Sequence, residues 1–360
     1  MRPAAGLRWS RSAACAAISV ALTALSLSVT ASAESIPADA PARSDTAYDG
    51  PRERPLPGGS GLAWVFDGAG VDDLVYGWDE LLTMPAPDSL GGPRSTLTPR
   101  ELLAFAAGRV AFRIRYTVEQ GLGPHYNESA CSDCHAHPIQ GGVGTLPQHV
   151  IHVRELPELP GDTVGMRRVT IAGHAPEQAA GRRGRRRTPP LFGLGLLDAL
   201  PDAVLSENTD PEDRDHDGIR GWMAEKSRGG PMRPTRFGAK AHEWNLWRFV
   251  GAAMQDEMGM TNPASPARPV DADAVADPEV DARTMRRVDG FVRGLAPPPP
   301  AKRDAEAERG RALFAGIGCT GCHRETLGTV QGVYSDLLLH DLGETLDAGL
   351  DDRPANARTW

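Results

Sequence analysis

Apolar residues recur at three- and four-residue steps in four stretches of the chain, and each such stretch predicts a helix. The first opens at Thr98-Pro99-Arg100-Glu101, with a capping Thr and a Pro at the first helical position, and continues through Leu102, Leu103, Phe105 and Phe112. The second is expected over about Ala241 to Met254. There Trp244, Trp247, Gly251 and Met254 share one face, while Leu246, Phe249, Val250 and Ala253 fill its neighbour. The third covers about Ala282 to Leu295 and the fourth about Ala305 to Ala315. Alternation that would mark strands is sparse; His149 to Val153 and Val169 to Ile171 are the best cases. The pattern is that of a mainly α protein with long loops and a few short strands.

The same pattern repeats internally. Gly108-Arg109-Val110-Ala111-Phe112 and Gly310-Arg311-Ala312-Leu313-Phe314 close the first and fourth helices. A Gly permits close helix crossing, and a Phe one turn later supplies apolar bulk. Duplication is the expectation, against two unrelated helices sharing a common pattern.

Pro and Gly divide the chain. Residues 1–33 read as a secretory signal: Arg2, Arg8 and Arg11 form a positive start, Ala13 to Val29 is apolar, and Ala31-Ser32-Ala33 is a cleavage site. Residues 34–60 form a leader without periodicity, 61–295 a large first domain containing an acidic loop (262–281), 296–300 a Pro spacer, and 301–360 a second domain. No later run approaches the ~18 apolar residues of a membrane span. Loss of the signal removes three arginines and takes the formal charge from −8 to −11. An acidic surface of that size argues against nucleic acid as a partner.

Chemistry enters at two pentapeptides, Cys131-Ser132-Asp133-Cys134-His135 and Cys319-Thr320-Gly321-Cys322-His323. In each, two thiols are spaced to add to the two vinyl groups of one haem, and the following imidazole turns onto the iron. The competing reading, one Cys₄ zinc site, leaves both histidines unexplained and must bring distant pairs together. Of five cysteines, the remaining one, Cys15, lies in the signal segment. The chain is therefore expected to carry two covalent haem c groups. Export and this attachment chemistry both point to the periplasm.

Further stretches resemble the bacterial di-haem oxidoreductases, a family related to the di-haem cytochrome c peroxidases. They are Gly121 to Asn127, Arg187-Thr188-Pro189-Pro190-Leu191-Phe192-Gly193, Arg236-Phe237-Gly238, Met258-Gly259-Met260-Thr261, Gly310 to His323, and Tyr334 to Asp341. The resemblance implies two cytochrome c-like haem domains and peroxidase-like work. Electrons would come from a small donor protein or a quinol-linked donor, and H₂O₂ would be the substrate. The alternative is a di-haem carrier with both irons six-coordinate and no catalysis; a third reading is a shortened member that binds haem without turnover. Two departures stand out: Leu342 occupies the place of a family Met, and the Ala357-Arg358-Thr359-Trp360 end falls where a further family stretch would start. The second domain is accordingly expected to be short.

Site residues are legible to different depths. His135 and His323 are the expected iron ligands. Opposite the second, the iron is open, or takes a ligand from a further piece, or takes His340; His340 could equally orient a loop through hydrogen bonds. For the first haem the candidates are His149, His152, His174, Met258 and Met260, although a lone Met or His is more often core than ligand. Glu257 and His149 are candidate acid–base groups, and Trp244 or Trp247 could lie between the haems or simply pack. Arg187, in the cluster Arg182 to Arg187, is the expected partner of a haem propionate; its neighbours read as an exposed charged loop. Asp213, Asp215 and Asp217 before Gly218 have the spacing of a calcium loop. The twelfth position is Ala224 rather than Glu, so the loop is not a standard EF-hand, and a solvated acidic loop is the other reading.

Overall fold

The computed structural model describes residues 53–55, 62–64, 77, 79–146, 149–156, 159–166, 169–172, 174, 183–226, 231–264 and 273–346. The expected signal segment lies outside them, as does the leader apart from its strand Glu53–Pro55, which pairs with Leu62–Trp64. Helices dominate and the strands are short, as the periodicity indicates. Among the described residues no helix is long and apolar enough to cross a membrane.

Two crossed helices form the frame. Helix α1 (Pro99–Ala111) begins with a complete capping box: Thr98 accepts from the Glu101 amide, and the Glu101 carboxylate accepts from the Thr98 amide at 2.8 Å. Such a cap contributes about 1 kcal/mol. Its partner, helix α6 (Ala282–Gly294), is capped by Asp281, which accepts from the Thr284 amide at 2.7 Å. The two approach closely because Gly108 has no side chain: a Cβ there would lie 2.0 Å from the Arg287 carbonyl oxygen. Phe291 of the second helix then fills the space between Phe105 and Phe112, with ring centroids 5.2 and 4.8 Å away.

The short helices α2 (Cys131–Cys134), α3 (Leu194–Asp198) and α4 (Asp202–Ser206) precede α5 (Leu246–Met258). Helix α5 starts later than the apolar spacing indicates. Asn245 caps it by accepting from the Arg248 amide at 3.0 Å, and Gly259, at φ +74°, ends it. Trp244 therefore lies outside the helix, within reach of the Arg233 and Arg248 guanidiniums. Trp247 is buried in the core with Leu246, Val250 and Met254; each such side chain contributes roughly 1.5–3 kcal/mol by leaving water.

A buried ionic cluster locks these helices together. Arg293 on α6 donates through Nε to Asp289 at 2.6 Å and through Nη1 to Asp198 on α3. The other oxygen of Asp198 accepts from the Leu246 amide at the start of α5, at 2.9 Å.

The basic cluster is not a loop. Arg183–Arg187 is a strand of a three-stranded antiparallel sheet whose centre is Val150–Leu156 and whose other edge is Leu159–Met166; Val150 pairs with Arg187. The backbone of the cluster finds its hydrogen bonds in that ladder. A smaller ladder joins His125–Tyr126 to Val169–Thr170.

At the Pro spacer, Ala296 is fully buried and donates to the Gly92 carbonyl at 2.9 Å. Helix α7 (Ala305–Gly316) follows, capped by Asp304, which accepts from the Glu306 and Ala307 amides. None of its residues is buried, and Leu313 and Ile317 are 66% and 75% exposed. Beyond it the chain docks on residues 219–222: Ile219 abuts Gly321, and Trp222 bridges to Leu339.

Candidate haem-attachment site

The first pentapeptide folds as helix α2, tied to the end of α1 by the Ser132 amide, which donates to the Phe112 carbonyl at 3.1 Å. The His135 amide returns to the Cys131 carbonyl at 3.0 Å. His135 Nδ1 lies 3.1 Å from the Gly142 carbonyl. A carbonyl only accepts, so Nδ1 carries the proton and Nε2 keeps its lone pair. Burial pushes the His135 pKa down to about 4, against the opposing pull of the Gly142 and Pro189 carbonyls. The ring is thus a neutral donor with a fixed tautomer, the form that binds a metal. Burial also pushes the Cys131 thiol up to about 12, which disfavours the thiolate that thiol-redox chemistry needs.

These groups open into a cavity of about 490 Å³, a size typical of cofactor pockets. Cys131, Cys134 and His135 form part of its wall, and Arg187 also lines it. Much of the rest is apolar: Phe112, Leu191, Leu194, Phe237, Val250 and Val292.

Two residues of this wall are not marked as site residues by any local spacing, although Arg236 opens one of the family-like stretches. Arg236 lines the cavity with its side chain 3% exposed. Its Nη1 donates to the carbonyls of Leu197 and Leu200, at 3.2 and 2.6 Å, and Nη2 pairs with Asp202. Its Nε is buried without a hydrogen-bond partner. A buried unpaired donor on a cation beside an apolar cavity fits a group that brings its own carboxylate. The second residue is His242. Two thiols, a neutral imidazole, apolar walls and two guanidiniums together suit a haem.

The candidates for the opposite side separate. Met258 lines the cavity, whereas Met260 is fully buried in the core cluster. His149 is buried, with Nδ1 accepting from the Leu146 amide at 3.4 Å and its carbonyl accepting from Thr188. His174 is exposed, and the side chain of His152 lies outside the described residues. Glu257 lines the cavity, its carboxylate accepting from the Asn127 side-chain amide at 2.5 Å.

The second pentapeptide repeats the local arrangement. The His323 amide donates to the Cys319 carbonyl at 2.9 Å, and Nδ1 lies 3.1 Å from the Tyr334 carbonyl. Phe314 stands 5.7 Å from the His323 ring at 54°; Phe112 stands 5.9 Å from His135 at 58°. The sequence repeat is therefore also a repeat of geometry. What surrounds it is not repeated: nothing lies within 4 Å of a Cβ built on Gly310.

His340 sits beside this second motif, Nδ1 3.9 Å from the Cys322 sulfur. Nδ1 also faces the Arg220 carbonyl at 2.9 Å, and Nε2 the Asp336 carboxylate at 3.0 Å. Both partners are acceptors, which favours the protonated ring, and the Asp336 hydrogen bond raises its pKa despite burial. As placed, His340 joins two loops. Asp213, Asp215 and Asp217 bring carboxylate oxygens within 4.8 Å of one another in an exposed loop, which continues into Ile219 and so into the second motif.

Compared with known proteins, residues 176–360, just over half of the chain, match the family model described as "di-haem oxidoreductase, putative peroxidase". The matched region holds the second pentapeptide, Arg187, Arg236 and the acidic loop; the first pentapeptide precedes it. No curated protein and no solved structure matches the chain.

Proposed function

The chain belongs to the di-haem oxidoreductase family, and from that premise we propose that it is an exported c-type oxidoreductase that reduces H₂O₂. The observation that carries the reading is the shared geometry of the two pentapeptides, each presenting two cysteines and a histidine whose Nδ1 is held by a carbonyl. Two bound haems would supply two electrons, the number that reduction of one H₂O₂ to two waters consumes along with two protons. Cys131 and Cys134, and Cys319 and Cys322, anchor the groups covalently, while His135 and His323 bind the irons. Arg187 and Arg236 neutralise carboxylates at the first cavity. Glu257, steadied by Asn127, is the carboxylate placed to move a proton there. The replenishing electrons come from a small donor protein or a quinol-linked donor outside the membrane, and Asp213, Asp215 and Asp217 hold Ca²⁺.

The signal segment and the attachment motifs support a periplasmic setting, because covalent attachment of this kind accompanies export. The test is maturation in a bacterial periplasm followed by intact mass, pyridine haemochrome assay and EPR, with and without H₂O₂. Two haems per chain, one high-spin signal and consumption of peroxide are expected. A wholly low-spin protein inert to peroxide would be an electron carrier instead, and bound zinc without haem would remove the reading altogether.

A further inference from the structure

In a chain of formal charge −8, the strand Arg183–Arg187 holds four arginines and a glycine. It forms one edge of its sheet, beside Val150–Leu156. Residues alternate between the two faces of a strand, so positions 183, 185 and 187 share one face. The register sets Arg154 opposite Arg183 and His152 opposite Arg185 on that same face. The face continues onto the third strand at Val164 and Met166, which pair with Arg154 and His152. These paired positions hold arginine, histidine or an apolar residue, and no carboxylate. Successive arginines of the row lie about 6.8 Å apart, two residues of roughly 3.4 Å each. That is inside the ~8 Å over which physiological salt screens a charge, so the row acts as a unit. Arg185 and Arg187 are exposed, and among the described residues neither has a carboxylate partner.

The row leads directly to the first attachment site. Arg187 lines the cavity. The next residue, Thr188, is buried, and its hydroxyl donates to the His149 carbonyl at 2.9 Å. Then comes Pro189, whose carbonyl acts with that of Gly142 on the His135 ring. The Leu191 amide, donating to the Gly141 carbonyl at 2.8 Å, holds this connection in place. A short, fixed path of backbone therefore joins the exposed arginines to the expected iron ligand. An anionic lipid surface would match the charge of the row but has no use for that path, whereas an acidic redox protein matches both. We propose that the face bearing Arg183, Arg185 and Arg154 is the docking surface of an acidic electron-donor protein, which delivers its electrons to the first haem. The donor loses one electron and the ferric iron gains it, with no bond made or broken. The inference rests on the two-haem reading above and gives the donor of that reading its charge and its place.

The probe is a flavodoxin, a small acidic redox protein, used as its hydroquinone for rates and oxidised for binding. The target is full-length, periplasmically matured protein, alone and in a Cys319→Ala/Cys322→Ala background where only the first haem reports. Arg183→Glu/Arg185→Glu reverses two charges of the row and spares Arg186 and Arg187, which line the cavity. In stopped-flow measurements, reduction of the wild-type haem should be fast at low ionic strength and slow steeply as salt is added. The reversed variant should be slower by about tenfold or more at low ionic strength, with a flatter salt dependence. Arg183→Lys/Arg185→Lys should keep the wild-type behaviour, because charge is what the row supplies. Circular dichroism, and an equal final extent of reduction by dithionite, establish that each variant is folded and its haem reducible. Calorimetric titration with the oxidised probe should show binding to wild type that the reversed variant loses. The proposal is overturned if the folded, reversed variant matches wild type in both rate and salt dependence. It gives way to a lipid surface if phosphatidylglycerol vesicles sediment wild type but not that variant while the flavodoxin rates are equal. Wild type that lacks haem yet binds the probe through these arginines would support the surface and defeat the two-haem reading, so the two failures are distinguishable.

Discussion

Gly108 and Gly310 occupy equivalent places in the repeat, and the same substitution at each should have opposite effects. In Gly108→Ala the new methyl lies 2.0 Å from the Arg287 carbonyl oxygen and 2.8 Å from Phe291 Cβ, where ordinary contact begins at 3.4 Å. Helices α1 and α6 must part by roughly 1.4 Å, the difference between those limits, and Phe291 must loosen its contacts with Phe105 and Phe112. Overpacking costs typically ~1–3 kcal/mol. The upper end applies because the opposing atoms are backbone and Cβ and cannot swing aside. Replacing Gly by Ala in a helix returns about 1 kcal/mol, leaving a net loss of about 2 kcal/mol. Gly310→Ala meets nothing within 4 Å, so only the gain of about 1 kcal/mol remains, confined to α7. Urea unfolding followed by circular dichroism reads the first; hydrogen exchange across residues 305–316 reads the second. If Gly108→Ala unfolds at the wild-type midpoint or above it, the close crossing is not what this glycine is for.

Three other outcomes follow from the same geometry. Arg293→Met leaves Asp198 and Asp289 buried without their cation, which should cost roughly 3–5 kcal/mol; a shift in the urea midpoint worth under about 1 kcal/mol would show that the cluster is not the lock between α3, α5 and α6. If the acidic loop holds Ca²⁺, a hundredfold excess of Ca²⁺ over Kd stabilises by about 2.7 kcal/mol, chelator lowers the Tm and Asp215→Ala abolishes the response, whereas indifference of wild type to both additions removes the site. Asp336 raises the folded-state pKa of His340, so its stabilisation is complete below the ordinary histidine value of about 6.5 and is lost as pH rises through the higher folded value; proteolytic protection of residues 319–346 should fall over that window in wild type and stay flat in Asp336→Asn.

How far the sequence reaches depends on whether the deciding contact is local. The caps at Thr98, Asp281 and Asp304 act within three residues, and the helices they start were legible. Asn245 is as local, but the spacing of Trp244 and Trp247 drew the expected helix start forward; Trp244 instead meets two arginines. The strand Arg183–Arg187 was illegible because its pairing comes from Val150–Arg154, some thirty residues away, and four arginines and a glycine offer no alternation to read. The candidate site divides the same way. The cysteines and histidines announce themselves by spacing, whereas Arg236 and His242 reach the cavity only through the packing of α3, α5 and their loop. The stretch Arg236-Phe237-Gly238 was visible as a likeness, whereas the close approach of Gly238 to the His242 ring exists only in three dimensions.

The two motifs are locally alike, so any difference between the irons must come from what surrounds them. Burial and hydrogen bonding around the ligands are among the levers on haem potential. His135 is half-buried at a largely apolar cavity, and burial suppresses its protonation. His323 is exposed, beside a helix with no buried residue. Ferric haem carries one more positive charge than ferrous, and a low-dielectric setting disfavours that extra charge. Arg187 and Arg236 at the same cavity add to the effect. With matched ligation, the first haem should therefore be the easier to reduce, receiving the electron first and holding it at the more positive potential. Redox titration of the matured protein should give two separated waves, and the Cys319→Ala/Cys322→Ala variant should keep the more positive one. A single wave for two haems, or retention of the more negative wave in that variant, would show that burial at the first cavity does not order the pair.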